Sequence, residues 1–229
     1  MKKMTPEQYK AFTIVLDEYT QFLNQQKGMY ADACAGFAEN KRVIEIEKTR
    51  VQQRHQIGTN ARGRPVMMFT SLEDPNSPES IQLRIIRADD YIAENSEGGS
   101  HEQQHARAIL IFIFTFWEDE IRPRTAKALK RDISEVTSDI MGDLRIVRHA
   151  ILHAKAVIKA KEHKRLKILK DMFNPDEMIV LSHQKMDEIF QLIIQDSVRM
   201  LLEFIGTEGQ IDPNQIKQIA VQRFDRNSG

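Results

Sequence analysis

Cys34 is the only cysteine in the 229 residues. That excludes an intrachain disulfide and an all-cysteine metal centre, and it points to a reducing compartment. Long apolar runs are missing as well. The longest, Ala108 to Trp117, is ten residues with Arg107 and Glu118 at its ends, against about twenty needed to cross a bilayer. It reads as a buried core or interface helix in a soluble, cytoplasmic protein with no membrane partner. The opening Met-Lys-Lys-Met-Thr-Pro leads into a charged helix rather than the apolar core of a secretion signal. Internal repeats and low-complexity tracts are absent. Net charge is lacking too: its formal value is zero, which argues against a wholly electrostatic binder.

The charges are nevertheless unevenly spread. Between Arg122 and Lys170 lie fourteen Lys or Arg and five Asp or Glu, a local excess of nine positive charges that the remainder must balance. Such asymmetry is the footprint of an anion-binding region on an otherwise acidic body.

Periodicity predicts an all-α fold, a bundle of five to seven helices with an N-terminal helical arm. The length suits one large domain, or one domain with that arm appended. Expected segments are the arm over 1–57, a basic turn and linker over 58–77, and the bundle over 78–229. Thr5-Pro6-Glu7-Gln8 is a helix start. Tyr9, Phe12, Leu16, Tyr19 and Leu23 follow at helical spacing to about Lys27. Gly28 and Gly36 weaken the middle, and a second helix resumes through Val43, Ile44 and Val51 to about His55. Gly58 to Pro65 is a basic turn carrying Arg62 and Arg64, and Val66 to Thr70 is a short strand or extended connection. Asp74 to Pro78 reads as a linker. Ser77 is expected to cap a helix from Pro78 to Glu94 with Ile81, Ile85 and Tyr91 facing in. After the Asn95–Ser100 break comes the apolar helix, capped by Ser100 and ending at Pro123. Trp117 is expected in its core.

A central helical segment is expected from Arg124 to about Lys170, with Gly142 as a weak point. Asn174-Pro175-Asp176 is a turn, Met178 to Leu181 is β-like, and Ser182 caps a long helix to Ile205. Met186, Ile189, Phe190, Ile193 and Ile194 form the buried side of that helix. Asp212-Pro213 opens a short terminal helix.

The stretch Asp143-Leu144-Arg145-Ile146-Val147-Arg148-His149-Ala150-Ile151-Leu152-His153 stands out. At about 100° per residue, Leu144, Val147, Ile151, Ala154 and Ile158 share one stripe. Arg145, Arg148, His149 and His153 fall on the other side. Such a face is specialised for something anionic.

A competing motif is His101-Glu102-Gln103-Gln104-His105, which matches H-E-x-x-H. Two histidines four apart on a helix can bind Zn²⁺, with the glutamate as general base. Here, however, the motif occupies the first turn of its helix, and no third ligand stands at a family spacing. A polar first turn accounts for the same residues, since Glu102 favours a helix N-terminus.

Arg148 followed by polar His149, with His153 after four intervening residues, resembles the signature of the HEPN superfamily (higher eukaryote and prokaryote nucleotide-binding domains). The resemblance extends to the preceding apolar helix ending in Trp117-Glu118 and to the Phe173–Glu177 turn before a long final helix. It covers roughly Ala88 to Ile205. His149 and Ala154 stand where the family often has Asn. The resemblance implies a metal-independent endoribonuclease without cofactors, active as a homodimer whose two motifs face each other across the two-fold axis. It also implies a setting in defence or toxin–antitoxin pairs, with an antitoxin or regulatory protein as a further partner. Some members bind nucleotides or partners without catalysis.

The residue types suit RNA cleavage. RNA carries its own nucleophile in the 2′-OH, so the protein need only move protons and stabilise charge on phosphorus. Arg148 would stabilise the transition state, His153 would transfer protons and His149 would assist. Arg145, Lys155 and Lys159 would hold the backbone, supported by Asp143 and Glu118. Arg148 and His153 are separated by about 140° on an ideal helix. Two copies can therefore aim both at one phosphate more easily than one copy can. His149 and His153, at i and i+4, share a face.

Overall fold

The computed structural model describes residues 5–55, 66–70, 74, 77–205 and 218. The fold is mostly helical, 73% by residue, with one two-stranded sheet. In order, the elements are α1 (Pro6–His55), β1 (Val66–Thr70), β2 (Gln82–Arg87), α2 (Ala88–Glu94) and α3 (Ser100–Phe116). A π-helical turn (Trp117–Ile121) leads into α4 (Arg122–Leu129), then come α5 (Asp139–His153), the single turn α6 (Ala160–His163) and α7 (His183–Ile205). The expected helical bundle is present. No helix among the described residues is long and apolar enough to cross a membrane. The basic turn with Arg62 and Arg64 lies outside the described residues, as does the terminal helix expected from Asp212, Gln218 apart.

Packing divides the chain into two compact units, Met1–Tyr30 with Ala106–Gly229, and Ala31–His105. The first half of α1 belongs to the first of these units. Phe12, Leu16, Tyr19 and Leu23 are almost fully buried. Phe12 meets Phe204 edge-on at 5.5 Å, and Tyr19 lies 5.7 Å from Trp117.

Where the glycines predict two helices, one continuous helix of 50 residues is present. Glycine in a helix costs only about 1 kcal/mol relative to alanine. The buried stripe before Gly28 and the ion pairs Arg42–Glu39, Lys41–Glu45 and Arg50–Glu47 after Gly36 carry the helix through both.

In the second unit, the helix expected from Pro78 is replaced by a turn and a strand. Ser80 N–H donates to the Ser77 carbonyl at 2.9 Å, and β2 pairs antiparallel with β1, Met68 opposite Ile85. Leu83 and Ile85 alternate with Gln82, Arg84 and Ile86, a period of two that the strand adopts. Ile81 and Ile85 are exposed, whereas Tyr91 is buried as expected and stacks on Phe69 at 5.2 Å.

The first unit holds the bundle core. The apolar helix does not end at Pro123. Arg122 N–H donates to the Trp117 carbonyl, and Pro123 enters α4 at its first turn. A π turn leaves room for the ring and tolerates its missing N–H.

The central helix expected to run to Lys170 is instead broken twice. Lys130 is left-handed (φ 56°) and closes α4, and Asp132 and Glu135 form a capping box on a short 3₁₀ turn. At its far end α5 stops at His153, followed by left-handed Lys155 and Ala156. The β-like stretch is a single bridge, Met178 to Val157. In α7 the Ser182 hydroxyl accepts from Lys185 N–H at 3.2 Å, and Met186, Ile189, Phe190, Ile193 and Ile194 are buried as expected.

Candidate functional site

Helix α5 is fixed at both ends and along its back. At its start the Ser138 hydroxyl accepts from Met141 N–H and donates to the Asp196 carboxylate at 2.5 Å. Burial raises the Asp196 carboxyl above the ordinary range, against the lowering pull of the Ser138 hydrogen bond and of Arg199. Burial likewise raises the Tyr19 phenol, which points at the Met141 sulfur, and the Asp196 charge raises it further.

Along its back, Ile140, Leu144, Val147 and Ala150 are buried. The buried stripe therefore runs through Leu144 and Val147 as expected. Ile151 is only half-buried, and Ala154 and Ile158 lie beyond the helix end.

Asp143, expected to support the polar face or to neutralise Arg145, does neither directly. Its buried carboxylate accepts N–H bonds from Lys167 at 3.0 Å, Ile168 at 2.7 Å and Leu169 at 2.8 Å. Three convergent backbone donors on one carboxylate fasten the 167–169 segment to α5.

The outward face carries the expected cations. Arg145, His149 and His153 are exposed, and Arg148 is half-buried. Phe114 of α3 lies beneath both arginines, 5.9 Å from the Arg145 guanidinium carbon and 5.6 Å from that of Arg148. Such contacts hold a guanidinium by its face and leave its edge for an anion.

The two arginines differ in their other partners. Arg145 reaches both Glu118 oxygens at a long 3.4 Å, while Arg122 takes one of them at 2.8 Å. Arg148 makes no ion pair among the described residues, and its buried Nε has no hydrogen-bond partner. The His149 and His153 rings lie 4.9 Å apart at 46°, so the two do share a face.

Two expected members are displaced. Lys155 and Lys159 do not continue the helical face, because the chain turns away after His153. Ala156 N–H returns to the Ala150 carbonyl at 2.9 Å, and Ile179 N–H then donates to the Ala156 carbonyl. Lys159 pairs with Asp176 at 3.8 Å. Both lysines remain exposed.

Phe114 and Arg122 do not stand out as site residues in the sequence, and Gly142 stands out there only as a weak point in a helix. Phe114 is four residues before Glu118, and so on the same helix face. That spacing is a usable signal, obscured by the uniformly apolar run around it.

The H-E-x-x-H residues serve other ends. Glu102 is buried and accepts from Gly98 N–H at 2.8 Å, holding the start of α3. His101 lies 3.4 Å from Glu94, and both imidazoles pack near Phe37, at 5.6 and 6.3 Å. Among the described residues, His101 and His105 belong to no group of three side chains close enough to share a metal ion. Glu102 acts at the helix start, as expected of a polar first turn.

No known protein family, curated protein or solved structure matches this chain.

Proposed function

We propose that the chain is a metal-independent endoribonuclease of HEPN-like type, acting as a homodimer through the outward face of α5. One observation carries the reading. Arg148 is half-buried, held over an aromatic ring and left without an ionic partner among the described residues, on the face that also bears the His149–His153 pair. A guanidinium held by its face on an aromatic ring, with no ion pair among the described residues, keeps its edge for an anion.

In this reading a histidine takes the proton of the ribose 2′-OH, whose oxygen attacks the adjacent phosphorus. Charge grows on the non-bridging oxygens, where Arg148 donates. The 5′-oxygen leaves with a proton from a second imidazole. The products are a 2′,3′-cyclic phosphate and a 5′-hydroxyl, with no water, metal or cofactor consumed in that step. His153 is the principal proton carrier, His149 its neighbour, and Arg145 with the exposed lysines holds the strand. RNA supplies the anion, and an antitoxin or regulatory protein in a defence setting is the corresponding protein partner.

The alternative is a non-catalytic helical dimer that binds a nucleotide or a protein through the same basic face. The separation of about 140° between Arg148 and His153 along one helix favours this reading only if the chain does not pair, because one copy does not readily direct both at one phosphate.

Cleavage of mixed single-stranded RNA in excess EDTA, wild type beside His153→Ala, tests the two. EDTA-resistant cleavage ending in 2′,3′-cyclic phosphate and absent from the variant is expected. Intact RNA with the wild-type protein overturns catalysis in favour of the binding module.

A further inference from the structure

Beside Arg145, a cavity of about 190 Å³ opens between the π-helical turn, the 136–138 segment and the first turns of α5. Against about 30 Å³ for each water in the liquid, it has room for several waters or one small group. Phe114, Trp117, Val136 and Met141 are its buried members, and Glu118, Arg122 and Arg145 stand among its more exposed polar members. The π turn that produces Trp117 and Glu118 in this position is a feature frequently found at functional sites.

Two details bear on how a ligand would fit. A Cβ built on Gly142, which lines the cavity, meets nothing within 4 Å. A side chain added there meets no crowding. The second detail is the rim. Arg122 holds one Glu118 oxygen at 2.8 Å, whereas the other oxygen has only the 3.4 Å contact to Arg145 among the described residues. That carboxylate oxygen and the exposed arginine fork can be exchanged for a ligand at little loss.

A slot walled by Phe114 and Trp117, with an arginine beside a carboxylate, is complementary to a planar ring with both acceptors and donors on its edge. Guanine matches it best. Its O6 and N7 are the paired acceptors that an arginine fork takes, and its N1–H and amino group are donors for the Glu118 oxygen that Arg122 leaves open. We propose that this cavity is a nucleobase pocket that takes one guanine of the bound RNA and so sets which nucleotide lies beside the Arg148–His153 face. The proposal rests on the RNA reading of α5 and adds a base preference to it.

Trp117 is the only tryptophan in the chain, so tryptophan emission comes from a residue that lines this cavity. The wild-type protein is titrated with guanosine 5′-monophosphate and with cytidine 5′-monophosphate, following Trp117 emission and, separately, equilibrium dialysis of labelled nucleotide. Saturable guanosine monophosphate binding at least tenfold tighter than that of the cytidine nucleotide is expected. Gly142→Leu should abolish it with the far-ultraviolet circular dichroism retained, and Glu118→Gln should remove the preference between the two nucleotides. Equal binding of both nucleotides by the wild type, no binding of either, or undiminished binding by a folded Gly142→Leu overturns the proposal. The RNA assay in EDTA on the same sample separates the two ideas. Cleavage without guanosine monophosphate binding removes the pocket and leaves the nuclease, and binding without cleavage does the reverse.

Discussion

The Arg148 guanidinium carbon lies 5.6 Å from the centre of the Phe114 ring, and its Nε is buried without a hydrogen-bond partner. Arg148→Leu removes the unpaired group and keeps the apolar stem, so stability should hold or rise by about 1 kcal/mol. RNA cleavage should fall by about 10² to 10³-fold, the usual effect of losing one transition-state donor. Urea unfolding and single-turnover cleavage on the same preparation check both halves. A large loss of stability with cleavage retained would mark Arg148 as structural.

The histidine pair is expected to respond asymmetrically. His153→Ala should lower cleavage by about 10² to 10⁴-fold. His149→Ala, at 4.9 Å ring separation, should lower it less, because in the proposed scheme His149 assists. Both residues are exposed, so thermal unfolding should be unchanged in each. Equal losses from the two variants would assign the proton transfers to the pair jointly.

Asp143 is a different case. Its buried carboxylate collects the N–H groups of Lys167, Ile168 and Leu169, and Asp143→Ala orphans all of them. A loss of about 3 kcal/mol is expected, read as a lower urea midpoint. Asp143→Asn, which retains an acceptor oxygen, should lose less. A midpoint unchanged in Asp143→Ala would show that the 167–169 segment is held by its apolar contacts alone.

The Asp196 carboxyl is pushed upward by burial, and the sign of its pH effect follows. The unfolded chain ionises near 3.8 and the folded one only at higher pH. Its contribution to stability is therefore full below that value and is lost as pH rises through the folded pKa. Asp196→Asn removes this dependence while leaving an acceptor for Ser138. The stability of that variant relative to wild type should accordingly improve as pH is raised from about 4. Urea unfolding of both proteins across the acid range measures it, and a difference that declines with pH would contradict the burial effect.

Gly28 and Gly36 lie within the continuous α1, and a Cβ at either meets nothing within 4 Å. Each change to alanine should raise stability by up to about 1 kcal/mol. Calorimetric melting of the single and double variants checks the increments. A decrease would show that α1 bends or parts at these positions in solution.

Local patterning anticipates much of the fold. The α7 stripe from Met186 to Ile194, the Ser182 cap and the outward face of Arg145, Arg148, His149 and His153 all follow from periods of 3.6 and from side-chain hydroxyls at helix starts. The stretch from Pro78 to Arg87 misleads because Ile81 and Ile85 suit a helix spacing as well as a strand, and only pairing with β1 decides between them. Pro123 misleads for a related reason. Proline ends an ordinary helix, and only the packing around Trp117 and Ile121 stabilises the wider turn that admits it.

The sequence by itself determined the helical class, the apolar backs of α5 and α7, and which cations α5 turns outward, because these depend on residue order within a few turns. Tertiary structure alone decided the rest. It directed Asp143 inward to the 167–169 backbone, carried Lys155 and Lys159 off the helical face, set Phe114 beneath both arginines and opened the cavity beside Gly142. Those relationships join residues distant in the chain, and their energies arise only when the segments between them have packed.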